Sequence, residues 1–232
     1  TQATGIELWL ADTDTTLGQV TFDSRGTPNF GNISVPSLSN TASGEWNLIG
    51  NPYVSWIDWR KVTKSQLKNE VWIFDAASGN YKLYSGTVDI SPHQSFKVES
   101  TGASPSATFV KNAKMTSPLS NFYREYRPEL TLNIISGNGY SHQTHIRHNE
   151  WSDENYDAEN DARVLSTRNE KAPKLVSLSK DGVELSLNTV NTYNTQIPLS
   201  IKNYDVNNEI KLEVNNLGDF EHNCECILLK DK

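Results

Sequence analysis

Alternation of apolar and polar residues is the clearest pattern in this sequence. In "ELTLNII" Leu130, Leu132 and Ile134 fall on one side of an extended chain, with Thr131 and Asn133 on the other. The segment "EIKLEV" alternates in the same way. A period of two residues is typical of a strand with one buried face, and half-buried strands belong to antiparallel sheets. No long stretch keeps the 3.6-residue apolar period of a helix, so an all-β fold is predicted.

Short apolar segments between turn residues give the candidate strands. In the first half they are "IELWLA", "LGQVTF", "EWNLIG", "EVWIFD", "YKLYSG", "QSFKVES" and "SATFVK". In the second half they are "ELTLNII", "QTHIRH", "KLVSLS", "VELSLN", "QIPLSIK", "EIKLEV" and "CECILLK". The only helical candidates are "KVTKSQLKN" and "NYDAENDAR", each about two turns long and too short to be stable without packing.

Turn chemistry suggests how these strands are connected. "DAASGNYKLY" and "SKDGVEL" place Gly79 and Gly182 between strands, where residues that tolerate positive φ form hairpin turns. Pro118 and Pro128 bracket an irregular polar segment. We therefore predict a boundary near residue 118, with antiparallel β-sandwich modules of jelly-roll or immunoglobulin-like type at residues 1–118 and 119–232.

Composition narrows the class of protein. The 232 residues are 36% hydrophobic and 21% charged, which is enough apolar matter for a core. The net charge of -7 supplies no basic surface for a phosphate backbone, so a nucleic-acid partner is not expected. No apolar run approaches the roughly 20 residues that a membrane-spanning helix needs, so no membrane insertion is expected either. Cys224 and Cys226 alternate on one candidate strand and are interpreted as two thiols, or as a thiol and a cysteine paired outside this chain.

The most acidic stretch, "YDAENDARV" with its preceding residues, raises the question of a metal. Asp153, Asp157 and Asp161 are four residues apart, and carboxylates in a loop can wrap a hard cation such as calcium. The stretch lacks the spacing of an EF-hand loop, and three like charges at this spacing repel. A solvated bend in which Tyr156 packs is the expected structure, and calcium is the alternative. A second acidic turn, "DTDTT", is interpreted as a cap.

Other candidate chemistry comes from histidines and aromatic residues. On a strand His142 and His148 of "HQTHIRH" share a face that His145 does not, which favours a polar strand over a metal site. No G-x-S-x-G, H-E-x-x-H or phosphate-loop motif is present in the sequence, and we expect no enzyme and no cofactor.

The tryptophans are expected chiefly in the core. The alternative is a sugar-stacking surface formed by Trp56, Trp59, Trp151 and Tyr140.

A series of motifs resembles a family of secreted and cell-surface β modules of the Bacteroidota. "GEWNLIGNPYVSWIDW" is similar to that family's G-W-N-L-[IV]-G-N-P-Y segment and the Ile-Asp-Trp element that follows. "VWIFDAASGNYKLY", "ISPHQSFKVES", "FYREYRPELTLNI", "YDA", "APKLVSLSKDGVELSLNTV" and "IPLSIK" resemble the remaining elements in the same order. The resemblance covers roughly residues 44 to 232.

Modules of this kind commonly precede sorting domains of the type nine secretion system. The resemblance therefore implies export by that system to the outer surface or the medium, and a non-catalytic role in adhesion or surface presentation. It leaves open whether the partner is a surface glycan or a protein. Two alternatives also remain, a carbohydrate-binding module beside a polysaccharide-degrading enzyme and a structural stalk.

Overall fold

The computed structural model confirms the all-β prediction, because the described residues form many short strands in several sheets and only a few short helical turns. It describes residues 3–6, 26–39, 44–75, 78–85, 88–116, 129–165, 169, 171–193, 195–202, 209–217, 220–224 and 226–230. Several predicted features lie outside these residues, namely all but Ile6 of the strand at 6–11, the strand at 17–22, the acidic turn at 12–16 and the boundary near 118. No helix in the described parts of the chain is long and apolar enough to cross a membrane.

Short strands follow one another through residue 116. They are β1 (Ile33–Ser34), β2 (Trp46–Gly50), β3 (Trp56–Asp58), β4 (Thr63–Ser65), β5 (Val71–Asp75), β6 (Asn80–Tyr84), β7 (Asp89–Ile90), β8 (Ser95–Glu99), β9 (Ser106–Phe109) and β10 (Lys114–Met115). Short 3-10 helices lie at Trp59–Lys61 and Lys111–Ala113.

The strands after residue 128 are longer. They are β11 (Glu129–Ser136), β12 (Ser141–His148), β13 (Ala162–Arg163), β14 (Lys174–Leu178), β15 (Glu184–Val190), β16 (Leu199–Lys202) and β17 (Ile210–Asn215). One α-helical turn, α1 (Phe220–Asn223), follows them.

The chain forms two compact units. Unit 1 comprises Thr1–Val71 and Thr87–Phe122, and unit 2 comprises Trp72–Gly86 and Tyr123–Lys232. Apart from Val71, the β5–β6 hairpin therefore belongs to unit 2, although it lies between segments of unit 1 in the sequence.

Unit 1 packs its aromatic residues into a core between small antiparallel sheets. β2 pairs with β8, β9 lies between β1 and β4, and β3 lies between β10 and β7. Trp59 is fully buried, with its ring 5.0 Å from that of Phe96 in an edge-to-face arrangement. Phe109 is buried beside it. Edge-to-face pairs stabilise a core beyond the burial of their area, which compensates for the short strands.

The "GNPY" segment of unit 1 is a structural junction. The Asn51 side chain donates hydrogen bonds to the carbonyl oxygens of Ile90 and Ser91 and accepts one from the backbone N–H of Tyr53 at 3.0 Å. The Tyr53 hydroxyl donates to the carbonyl oxygen of Phe109 at 3.0 Å. Because these groups are buried, each bond satisfies a polar atom that would otherwise be costly to bury. The segment thus ties the chain after β2 to the ends of β7 and β9 in the core of unit 1.

Unit 2 is built on one larger sheet with strand order β16-β14-β15-β12-β11-β17, and β13 pairs with β15. The alternation predicted for "ELTLNII" is present in β11, where Leu130, Leu132 and Ile134 are buried and the core residues Ile146 and Leu175 join them. β12 and β15 are parallel, whereas an antiparallel arrangement was predicted throughout. The chain between them crosses over through β13 and β14, which returns β15 in the same direction as β12.

Three local predictions are wrong. Residues 61–69 contain β4 and the end of a 3-10 helix instead of an α-helix, and residues 155–163 form turns and β13. The described part of "CECILLK" contains no strand, and α1 ends just before it. Both helical candidates were too short to be stabilised by their own hydrogen bonds, so pairing with neighbouring strands prevails. The predicted turns are confirmed, with Gly79 and Gly182 at φ of 69° and 83°.

Candidate functional site

The acidic stretch of unit 2 is a hydrogen-bonded loop centred on Asp161. This residue is 3% exposed, and its carboxylate accepts the backbone N–H of Thr189 at 2.7 Å and that of Asp157 at 2.8 Å. The Asp157 carboxylate in turn accepts the backbone N–H of Glu159 at 2.9 Å and the side-chain amide of Asn160 at 2.7 Å. These carboxylates are therefore used as acceptors for the protein's own N–H groups.

The three candidate calcium ligands, which belong to the alternative interpretation of this stretch, do not form a metal site in the described part of the chain. Asp153 is exposed and accepts the backbone N–H of Asn155 at 2.8 Å, whereas Asp161 is buried against β15. Among the described residues, no group of three or more His, Cys, Asp or Glu side chains is arranged to hold a metal ion. A spacing of four residues would place Asp153, Asp157 and Asp161 on one face of a helix, but this segment forms turns.

The three histidines of β12 occupy separate environments. His142 is buried, with Nδ1 2.8 Å from the carbonyl oxygen of Leu175, and burial lowers its pKa to about 4. His145 lies beside Thr131, with its Nδ1 3.2 Å from the hydroxyl. His148 stacks on Tyr193 with ring centroids 3.9 Å apart. Each ring serves the packing of its own part of the sheet.

The four aromatic residues predicted to bind a ligand also separate. Trp59 is completely buried in unit 1 and donates its indole N–H to the carbonyl oxygen of Lys68, so its ring is not accessible to a sugar. Its predicted companion Trp56 is partly exposed on β3, opposite Met115. Strand β3 ends at Asp58 and a 3-10 helix begins at Trp59, which points the two rings into different surroundings. Trp59 therefore does not contribute to a sugar-stacking surface.

Tyr140 and Trp151 lie at opposite ends of β12 in unit 2. The Tyr140 ring packs on Gly79, where a Cβ atom would come within 2.6 Å of Cδ1. Trp151 is 83% exposed. The eight residues of β12 span roughly 25 Å at about 3.3 Å per residue, so the two residues project from opposite ends of this strand and do not form one stacking platform.

Trp151 is held on a well-bonded turn. Its backbone N–H is donated to the side-chain oxygen of Asn149 at 3.2 Å, and the Asn149 backbone N–H is donated to the carbonyl oxygen of Val190 at 2.9 Å. The Ser152 hydroxyl donates to the carbonyl oxygen of Thr189 at 3.1 Å. Residues on both sides of Trp151 are thus tied to β15, which fixes the backbone from which the exposed ring projects.

The same part of unit 2 contains a cleft that the sequence interpretation missed. It has a volume of about 360 Å³ and lies between the turn after β14, the end of β15 and the segment before β16. Its polar lining residues are Ser179, Asn188, Asn191, Thr195 and Gln196. In the sequence, the Asn, Thr and Gln residues of "NTVNTYNTQIP" indicate a polar segment. They do not predict that this segment lines a cleft.

Two charges at the cleft neutralise each other. Lys180 donates a hydrogen bond to the Glu154 carboxylate at 2.8 Å, and this bond raises the pKa of Lys180. The backbone N–H of Lys180 is also donated to the carbonyl oxygen of Glu154, at 2.8 Å. The ion pair gives this wall a net charge of zero.

Comparisons with protein families, characterised proteins and solved structures find no match to this chain.

Proposed function

We propose that this chain is a non-catalytic module of a secreted or cell-surface protein of the Bacteroidota, exported by the type nine secretion system and acting in adhesion to glycans. The ordered motifs from Gly44 onward support the exported location. The observation that carries the adhesive role is the 83% exposed ring of Trp151 on its hydrogen-bonded turn.

A flat indole ring is well suited to a sugar. The C–H groups on one face of a pyranose pack against an aromatic face, while hydroxyl groups at the edge of the sugar stay in water. The turn that carries Trp151 is already ordered by the bonds of Asn149 and Ser152 to β15. Binding then requires little additional ordering of the backbone, and less of the interaction energy is lost.

The same ring favours a second candidate, a carbohydrate-binding module that acts beside a polysaccharide-degrading enzyme. The two functions differ in the glycan that is bound. Adhesion requires retention on glycans displayed by cells, such as those of mucin, whereas the accessory role requires retention on structural polymers such as cellulose, xylan or chitin.

Retention on immobilised mucin, cellulose, xylan and chitin tests the proposal. We expect the wild-type protein to be retained on mucin and Trp151→Ala to lose about tenfold in affinity, equivalent to ~1.4 kcal/mol. Phe30→Ala removes another ring that is 73% exposed, in unit 1, and is the matched control that should bind like the wild type. Retention on a structural polymer alone favours the accessory module. Lack of retention on every glycan, or equal retention of Trp151→Ala, would contradict glycan binding through this ring.

A further inference from the structure

We propose that the cleft of unit 2 receives a neutral saccharide unit of the glycan that contacts Trp151. This inference rests on the proposed function, because it assumes a glycan ligand, and it adds a second contact site and a ligand charge. The volume of about 360 Å³ lies at the lower end of the range for ligand sites, which suits a small ligand of roughly one or two sugar rings.

The cleft is preformed by hydrogen bonds between its walls. The backbone N–H of Leu178 is donated to the carbonyl oxygen of Pro198 at 2.9 Å, which joins the turn after β14 to the segment before β16. The Asn188 side chain donates to the carbonyl oxygen of Leu178 at 3.1 Å and ties the floor to the same wall. The Ser179 hydroxyl donates to Asp181 at 2.5 Å and stabilises the turn itself.

The lining chemistry indicates a polyhydroxylated ligand without charge. The amides of Asn191 and Gln196 and the hydroxyl of Thr195 both donate and accept hydrogen bonds, as sugar hydroxyls do. Ile197 and Pro198 add apolar surface for sugar C–H groups. Because Glu154 and Lys180 pair with each other, a charged ligand gains no net attraction from this wall.

One backbone segment connects the cleft with Trp151. Glu154 lines the cleft and lies three residues after Trp151, so their Cα atoms are at most about 11 Å apart. Ser152 between them bonds to Thr189 of β15, and Asn188 next in that strand forms part of the cleft. A short oligosaccharide spans this distance, with one unit on the indole ring and another in the cleft.

Calorimetric titration of the full chain with neutral trisaccharides tests the inference. The probes are lacto-N-triose II and 2′-fucosyllactose, which carry sugars of cell-surface glycans, and cellotriose, xylotriose and N,N′,N″-triacetylchitotriose, which represent structural polymers. We expect one of them to bind, and we expect Gln196→Ala and Thr195→Val each to weaken its Kd about threefold to tenfold, the effect of losing a neutral hydrogen bond. Both side chains are exposed, so the variants should fold normally. Thr63→Val, an exposed threonine of unit 1, is the matched control and should bind like the wild type.

The other outcomes separate the inference from the proposed function. A trisaccharide that binds the Gln196 and Thr195 variants as tightly as wild type, but not Trp151→Ala, overturns the cleft and leaves glycan adhesion intact. Retention of the protein on a polymer without binding of any trisaccharide also overturns the cleft and leaves glycan adhesion intact. Trigalacturonic acid is titrated beside the neutral probes as a charged trisaccharide, and binding of this probe alone overturns the neutral ligand. Failure of trisaccharides and polymers together overturns both proposals.

Discussion

Thr189 donates its backbone N–H to the buried carboxylate of Asp161 at 2.7 Å, although 28 residues separate them in the sequence. The same carboxylate accepts the backbone N–H of Asp157 at 2.8 Å, so one side chain joins the acidic loop to β15. Hydrogen bonds to an ionised acceptor are stronger than those between neutral groups. One of the three candidate calcium ligands thus holds the acidic loop against β15.

Asp161→Asn should destabilise unit 2, because the isosteric amide keeps one acceptor oxygen but directs an NH₂ group at the second N–H donor. We expect a loss of about 2 kcal/mol in the free energy of unfolding. Urea unfolding followed by circular dichroism measures it. The exposed Asp153→Asn is the control and should unfold like the wild type. If the difference between Asp161→Asn and the wild type vanished in excess EDTA, the carboxylate would be holding a cation, contrary to this interpretation.

His142 should make stability depend on pH. Burial lowers its folded-state pKa to about 4 from the ordinary 6.5, so between these pH values the unfolded chain binds the additional proton. The neutral imidazole therefore makes its full contribution to the free energy of unfolding above pH 6.5, and this contribution is lost as the pH falls toward 4. The pKa of His142 differs by about 2.5 between the folded and the unfolded chain, which corresponds to roughly 3 kcal/mol in the free energy of unfolding.

Urea unfolding of His142→Gln at pH 7.5, 6.0 and 4.5 checks this dependence. The wild type should lose more stability than the variant on acidification, because glutamine does not titrate, and their difference should narrow as pH falls. His93→Asn changes an exposed histidine and should retain the wild-type pH dependence. Parallel pH curves for His142→Gln and wild type would mean that the imidazole is not buried in its neutral form.

The sequence predicts the strands well where one face is buried. Leu130, Leu132 and Ile134 alternate with polar residues, and the strand they predict is present because a single register buries all three. The parallel pairing of β12 with β15 was not predictable in this way, since alternation reports burial of a face and not the direction of the neighbouring strand.

The candidate site was harder to predict because its properties depend on distant residues. Trp59 and Trp151 are the same residue type, yet one is enclosed by Phe96 and Phe109 and the other projects from a turn. Nothing in the local sequence of either residue specifies these neighbours. The cleft likewise requires Leu178 and Pro198 to meet across 20 residues, which is a property of sheet topology.

Unit 1 contains a buried ion pair whose partners should depend on each other. The Lys68 ammonium lies 3.7 Å from the Glu99 carboxylate, and their side chains are 3% and 0% exposed. Lys68→Met leaves a buried carboxylate without this cation and should cost about 3 kcal/mol of stability. Adding Glu99→Gln removes the remaining charge and should restore part of the loss. Urea unfolding of both single variants and the double variant gives the coupling energy, and strictly additive effects would contradict a mutual dependence.

Gly79 should tolerate substitution less well than Gly182. Both have positive φ, 69° and 83°, so an alanine at either position is strained by about 1 kcal/mol. At Gly182 the added Cβ meets open space, whereas at Gly79 it lies 2.6 Å from Cδ1 of Tyr140 and 2.9 Å from Nδ2 of Asn169. The ring must move, and we expect a total cost of about 2 to 4 kcal/mol for Gly79→Ala, strain and overpacking combined.

Thermal unfolding of the two alanine variants measures this difference, with Gly182→Ala as the control for backbone strain alone. Tyr140→Ala in the Gly79→Ala background removes the ring that the new Cβ meets. Tyr140→Ala should lower the stability less in the Gly79→Ala background than in the wild type, because Gly79→Ala has already disrupted the native packing of the ring. Equal melting temperatures for Gly79→Ala and Gly182→Ala would show that the turn has room for a side chain and that Tyr140 does not pack on it.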